Sequence, residues 1–135
     1  MKDIVLAAIT ALKADPAVAP VVGTRVYRKN LPANPTFPAI AVSKVDDIRD
    51  SDSNTGRYGH VRIQCTSFSK IGDGEADNLS ELIGDALHGT VNTFLTAGTD
   101  KVYVIGIEDA GVVPDVNTEI PLYLYHRDFR ILYSY

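Results

Sequence analysis

The closing stretch, Ile120 to Tyr135, constrains the fold more than any other part of the chain. Tyr123, Tyr125, Phe129, Ile131 and Tyr133 all fall on one parity. An extended chain through them turns these aromatic and aliphatic side chains to one side, whereas a helix would scatter them around its circumference. The run therefore predicts a long strand, and a strand of that length needs sheet partners to be stable. Pro121 sits near its start, where a missing N–H is tolerated. Arg127 falls on the apolar parity, a charge where only greasy side chains are expected.

Partners are visible upstream. In Tyr58 to Phe68, Val61, Ile63 and Cys65 alternate with Arg62, Gln64 and Thr66, the period of a half-buried strand. Ala39 to Val45 predicts another strand, with Ile40 and Val42 on one face. The segment between them, Asp46 to Gly56, keeps only Ile48 as an apolar residue and reads as a polar loop closing an antiparallel hairpin. Lys101 to Glu108 reads as a strand with apolar residues on both faces, suited to a central position. Thr96 to Asp100 reads as a turn, and Asp109 to Thr118 as a loop around Gly111 and Pro114. Pro32, Pro35 and Pro38 make Leu31 to Pro38 an extended connector, because residues before proline avoid the helical region.

Two segments carry the helical period instead. Ile4, Val5, Ala8, Ile9 and Leu12 line one face of an opening helix. Asp15 caps a short second turn with Pro16 at its start, Val18, Val21 and Val22 on its apolar side and Gly23 as its stop. A stretch around Val26 and Tyr27 follows in extended form. Asp73 to His88 is the clearest helix, with Asp73 as the expected N-cap, Glu75 and Asp77 near its positive end, and Gly89 as its stop. Ala76, Leu79, Leu82, Ile83, Ala86 and Leu87 form its apolar face. The expected fold class is α+β: a mostly antiparallel sheet packed against two main helices in a two-layer sandwich, as one domain over residues 1–135.

The balance of 13 basic against 17 acidic residues argues against a protein that grips nucleic-acid phosphates, though not against DNA passing close by. The lone cysteine, Cys65, reads as a small buried hydrophobe, with no internal disulfide open to it. The start at Met1 runs directly into a helical pattern without a leader, and no apolar run approaches the roughly 20 residues that span a bilayer. A soluble protein, cytoplasmic when made and without a membrane partner, is expected.

Catalytic chemistry finds little footing. His60, His88 and His126 show no metal-ligand spacing and read as structural. Gly72-Asp73-Gly74 lacks the lysine and glycine spacing of a phosphate loop. Asp46, Asp47, Asp50 and Asp52, offset by Arg49, form an acidic group without the glycine and late glutamate of a calcium loop. That group is either a solvated loop or the lining of a pore. Tyr123, Tyr125, Tyr133 and Tyr135 suit a sheet face and a subunit interface equally well. No catalytic, cofactor or metal residue is assigned.

Three stretches carry a resemblance to a known family: "LKADPAVAPVVGTRVY" from Leu12 to Tyr27, "VRIQCTSFS" from Val61 to Ser69 running into "EADNLSELIGDALHG" from Glu75 to Gly89, and "YHRDFRILY" from Tyr125 to Tyr133. In their joint order the chain resembles the tail-completion, or tail-terminator, proteins of siphophages and related prophages. The resemblance implies a structural virion protein without cofactor or catalytic residues. It implies a ring, typically of six copies, that caps the tail tube, ends its elongation and offers a docking surface to the head-completion or connector protein. DNA would pass through its lumen without specific binding. The virion neck, after assembly in the host cytoplasm, is the implied location. The acidic segment matches nothing in that family pattern; facing it toward the lumen, with the four tyrosines at subunit contacts, is an inference from the residues. Two other readings stand beside this one. One is a different neck or tail component, such as a stopper or tube subunit. The other is an enzyme or small-ligand module, which a pocket holding His60 or His126 beside a carboxylate would favour.

Overall fold

A computed structural model describes residues 3–50, 58–117 and 121–134, with Arg49 and Asp50 described in their backbone only. Its elements are α1 (Ile4–Ala14), α2 (Ala19–Val22), β1 (Val26–Arg28), β2 (Ala39–Asp50), β3 (Tyr58–Ser69), α3 (Asp73–Leu87), β4 (Val91–Ala97), β5 (Asp100–Asn117) and β6 (Leu122–Ser134). The strands form one six-stranded sheet in the order β1-β2-β3-β6-β5-β4. Only the β1–β2 pair is parallel. The aromatic strand read from the C-terminal alternation is β6. It lies in the middle of the sheet, flanked along its whole length by β3 and β5.

The two-layer sandwich with two main helices does not form. The chain is mostly strand, and its sheet curls into a half-barrel around one main helix, α3. Long antiparallel strands twist, and register shifts add curvature between Lys44 and Asp46, Val104 and Gly106, and Asp109 and Gly111. The curl brings both sheet margins to α1, which touches β1 and β2 on one side and β4 on the other. α1 therefore bridges the margins of the curl, while α3 lies across β3, β6 and β5 in its middle.

The strands also run further than their apolar residues suggested. Asp46 to Asp50, expected in a loop, continue β2, and the rest of that expected loop lies outside the described residues. Residues 109–117, also expected in a loop, complete the 18-residue β5. In its first part β5 has a strand on each side, β6 on one and the margin strand β4 on the other; β4 itself carries no clear period in the sequence. In each case backbone pairing with a neighbour holds the strand where hydrophobic alternation is absent.

The core fills the concave side. Ile4, Val5, Ala8, Ile9 and Leu12 of α1 meet Leu79, Ile83 and Leu87 of α3 and the inward row Val61, Ile63, Cys65, Phe129, Ile131 and Tyr133. Burying each of the larger side chains contributes about 1.5–3 kcal/mol. α1 starts where the Asp3 carboxylate accepts the Leu6 N–H at 3.0 Å. Asp15 accepts the N–H groups of Ala17 and Val18, which fixes the short turn before α2. Asp73 is not the N-cap of α3: Gly72 holds that position without a side-chain cap, and Asp73 is the first helical residue. Its carboxylate still favours the positive helix end.

Candidate assembly surface

The sheet presents two faces of different chemistry, and β6 shows both in adjacent residues. Arg127 points inward and is buried beneath α3. Its Nε donates to Ser80 Oγ at 3.0 Å, its Nη2 to Glu81 Oε1 at 3.0 Å, and its Nη1 to the Asp109 carboxylate. Gly84 makes room for it, since a Cβ at that position would stand 3.1 Å from Nη1. Asp109 also accepts the Gly111 N–H, and its own N–H donates to Nδ1 of His88 at the end of α3. The knot thus ties the helix, β6 and the irregular point of β5 together. Arg127 was legible as an oddity of parity, but its partners lie 18 to 47 residues away and left no local signal.

The outward face carries a polar lattice. Asp128 accepts from Arg62 Nη2 at 2.6 Å and from Gln64 Nε2 at 3.1 Å. His126 Nδ1 is hydrogen-bonded to Thr66 Oγ1 at 2.9 Å, and its Nε2 lies 3.6 Å from the exposed Asp115 carboxylate. This pairing sits at the side of an open cleft of about 350 Å³ with Val112 and Val113 on its wall, not in an enclosed chamber. Among the described residues no group of three or more His, Cys, Asp and Glu is placed to hold a metal ion. Cys65 is fully buried, and burial pushes its thiol far above the usual range.

The candidate aspartates do not stay together. Asp46 is exposed and opposite Arg62, whereas Asp47 turns inward and accepts the Tyr133 hydroxyl at 2.9 Å. Asp50 is described only in its backbone, and Asp52 lies outside the described residues. The candidate tyrosines divide likewise. Tyr133 is fully buried, its ring against Gly59, where a Cβ would stand 2.6 Å from Cζ. Tyr125 is half-buried, and its hydroxyl donates to the Asp73 carboxylate at 2.9 Å, which raises its pKa. Tyr123 is half-buried between Ser69 and Val116, and Tyr135 lies outside the described residues.

Apolar side chains that the sequence reading passed over stand at the sheet's margin. β4 leaves Val91 and Phe94 exposed, the Phe94 ring edge-on to Tyr103 at 4.9 Å. β4 accompanies β5 only as far as Gly106. Beyond it, residues 111–117 are all exposed, and Val112, Val113 and Val116 stand among them. Their sequence signal was three valines around Pro114, masked by the glycine and proline that suggested a loop.

A curled sheet with an uncovered strand edge beyond Gly106 and exposed apolar residues along it is the build of a structural subunit that associates with other proteins. The comparisons with known proteins agree. The chain belongs to the tail completion protein gp17 family, whose profile matches residues 7–133, and it is a structural component of a phage-type tail. A solved chain described as "Virion of native gene transfer agent (GTA) particle" shares the fold with a TM-score of 0.76 and 20% identity, over 95% of this chain and 92% of that one. A second solved chain, 14% identical, superposes with a TM-score of 0.59 over 100% of this chain and 97% of its own. No curated protein sequence matches it.

Proposed function

We propose that the protein forms a ring, of six copies, that caps the tail tube, ends its elongation and joins the tail to the head-completion or connector protein. Membership of the tail-completion family over nearly the whole chain carries this reading. The edge of β5 left uncovered beyond Gly106, with its exposed valines, supports it, because a closed ring needs two different patches on each subunit. Of the four candidate tyrosines, Tyr123, Tyr125 and Tyr135 serve subunit contacts, since Tyr133 is engaged in the core. The exposed Asp46, with Asp50 and Asp52 beyond it, faces the lumen and repels the passing duplex.

Adding the purified protein to polymerising tube protein tests the main reading. Tubes should stop growing and carry the protein at one end, with a ring mass in the mixture by native mass spectrometry. Tubes that lengthen as they do without it would refute the capping role. For the acidic lumen, Asp46→Asn, Asp50→Asn and Asp52→Asn together should slow genome ejection, and unchanged ejection would remove that part. Asp47 is spared because it holds Tyr133.

A further inference from the structure

Two margins of the sheet lie on the same rows but on opposite sides. β1 is the margin at one side, with Val26, Tyr27 and Arg28 opposite Ile40, Ala41 and Val42. Followed through β3 and β6, those rows reach Val112, Val113 and Pro114 of β5. β4 has ended by then, so the sheet there runs from β1 to β5. We propose that residues 111–117 of one copy dock against the β1–β2 margin of the next copy, head to tail. The proposal rests on the ring reading and names its contact.

Charge is complementary across this contact. Residues 111–117 carry Asp115 and no cation, together with three exposed valines. Beside β1 lie two adjoining clefts of about 240 and 220 Å³. Arg28, Lys29 and Lys44 line them together with Asp3 and Asp47, and the buried side chains of Ile4, Val5 and Val61 close their floor. Arg28 is paired with Asp3 and Lys44 with Asp47, so Lys29 supplies the excess positive charge. Docking proceeds through side chains rather than by simple strand addition. Pro114 has no N–H to offer, and Gly111 and Val116 donate theirs to the carboxylates of Asp109 and Asp115. The two patches differ, as a heterologous contact requires.

Cysteine cross-linking tests this, because the buried Cys65 is out of reach of oxidants. Val113→Cys and Lys29→Cys replace exposed side chains, so both variants keep the core intact. Mixed in equal amounts with tube protein and oxidised, they should give a disulfide-linked heterodimer, while each alone gives little or none. Lys29→Glu and Asp115→Lys should each weaken assembly several-fold, and combined in one chain should restore most of it. Wild-type rings without the mixed disulfide, or with no more of it than a Lys13→Cys control yields, would overturn the contact and leave the ring reading standing. A wild-type protein that stays monomeric with tube protein would overturn both.

Discussion

Arg127 and Asp128 are adjacent on β6, yet they make ion pairs in different surroundings. Arg127 turns under α3, with its side chain 8% exposed and three partners on two other elements. Asp128 turns outward and meets Arg62, whose side chain is 41% exposed. Both pairs join distant parts of the chain, so topology does not separate them. Burial does. A buried cation that loses its partners has no water to replace them, whereas an exposed one is rehydrated at little cost. The inner knot therefore fixes where α3 sits on the sheet, and the outer pair leaves a soluble, wettable face.

The sharpest way to break that comparison is Arg127→Ala. It strands the Asp109 carboxylate and opens a hole beneath α3, and should cost about 3–5 kcal/mol in urea unfolding. Arg127→Met with Asp109→Asn keeps volume, removes the stranded charge and leaves an acceptor for the Gly111 N–H. It should recover more than half of that loss. If Arg127→Met alone, which fills the hole but keeps the stranded carboxylate, is as stable as the double variant, the cost lies in packing and the electrostatic account of the knot is wrong.

Next in size is Gly59→Ala. A Cβ there would collide with the Tyr133 ring at 2.6 Å, and that ring is held by the core and by its bond to Asp47. Overpacking of this kind costs about 1–3 kcal/mol. Tyr133→Phe, which removes only the hydroxyl, should cost about 1 kcal/mol. A Gly59→Ala protein as stable as the wild type would show that the inner face yields as readily as the outer one. On that outer face, Arg62→Ala should cost no more than about 1 kcal/mol, because the arginine removed is itself 41% exposed and Asp128 keeps its hydrogen bond from Gln64. A loss as large as that of Arg127→Ala would erase the distinction between the faces.

The same distinction explains what the sequence revealed. α1, α3, β3 and β6 each turn an apolar row toward the core, and Ile4 to Leu12, Leu79 to Leu87, Val61 to Cys65 and Phe129 to Tyr133 announce that row by their period. In the far part of β2 the inward residue is the carboxylate Asp47, and in the far part of β5 residues 111–117 are all exposed, so no apolar alternation marks either segment. Asp46 to Asp50 and residues 109–117 therefore carry a loop's signature in sequence, although their neighbours pair with them as strands. The curl escaped for another reason: it follows from twist and register shifts, which no single segment encodes. The site was legible to the same degree. Parity exposed Arg127 as unusual, but Tyr133 shares that parity with Tyr123 and Tyr125, and only the packing separates a core ring from two half-buried ones.

The smallest expected effect lies where the sheet's inner row runs out into solvent. The Tyr125 hydroxyl donates to Asp73, and this hydrogen bond, followed by a little desolvation and the charges of Asp73 and Asp77, raises the phenol's pKa. A pKa raised by folding means that the bond's contribution is complete below the phenol's ordinary value of about 10 and fades as pH rises through the higher value in the folded protein. Wild type and Tyr125→Phe should therefore differ in unfolding midpoint near about pH 8, and the gap should close as the pH approaches and passes the phenol's own range. Other tyrosines and lysines titrate in both proteins and cancel in the difference. A gap that stays constant across that interval would mean that the ring, not its hydroxyl, anchors the start of α3, and that the inner row keeps its packing character to the edge of the sheet.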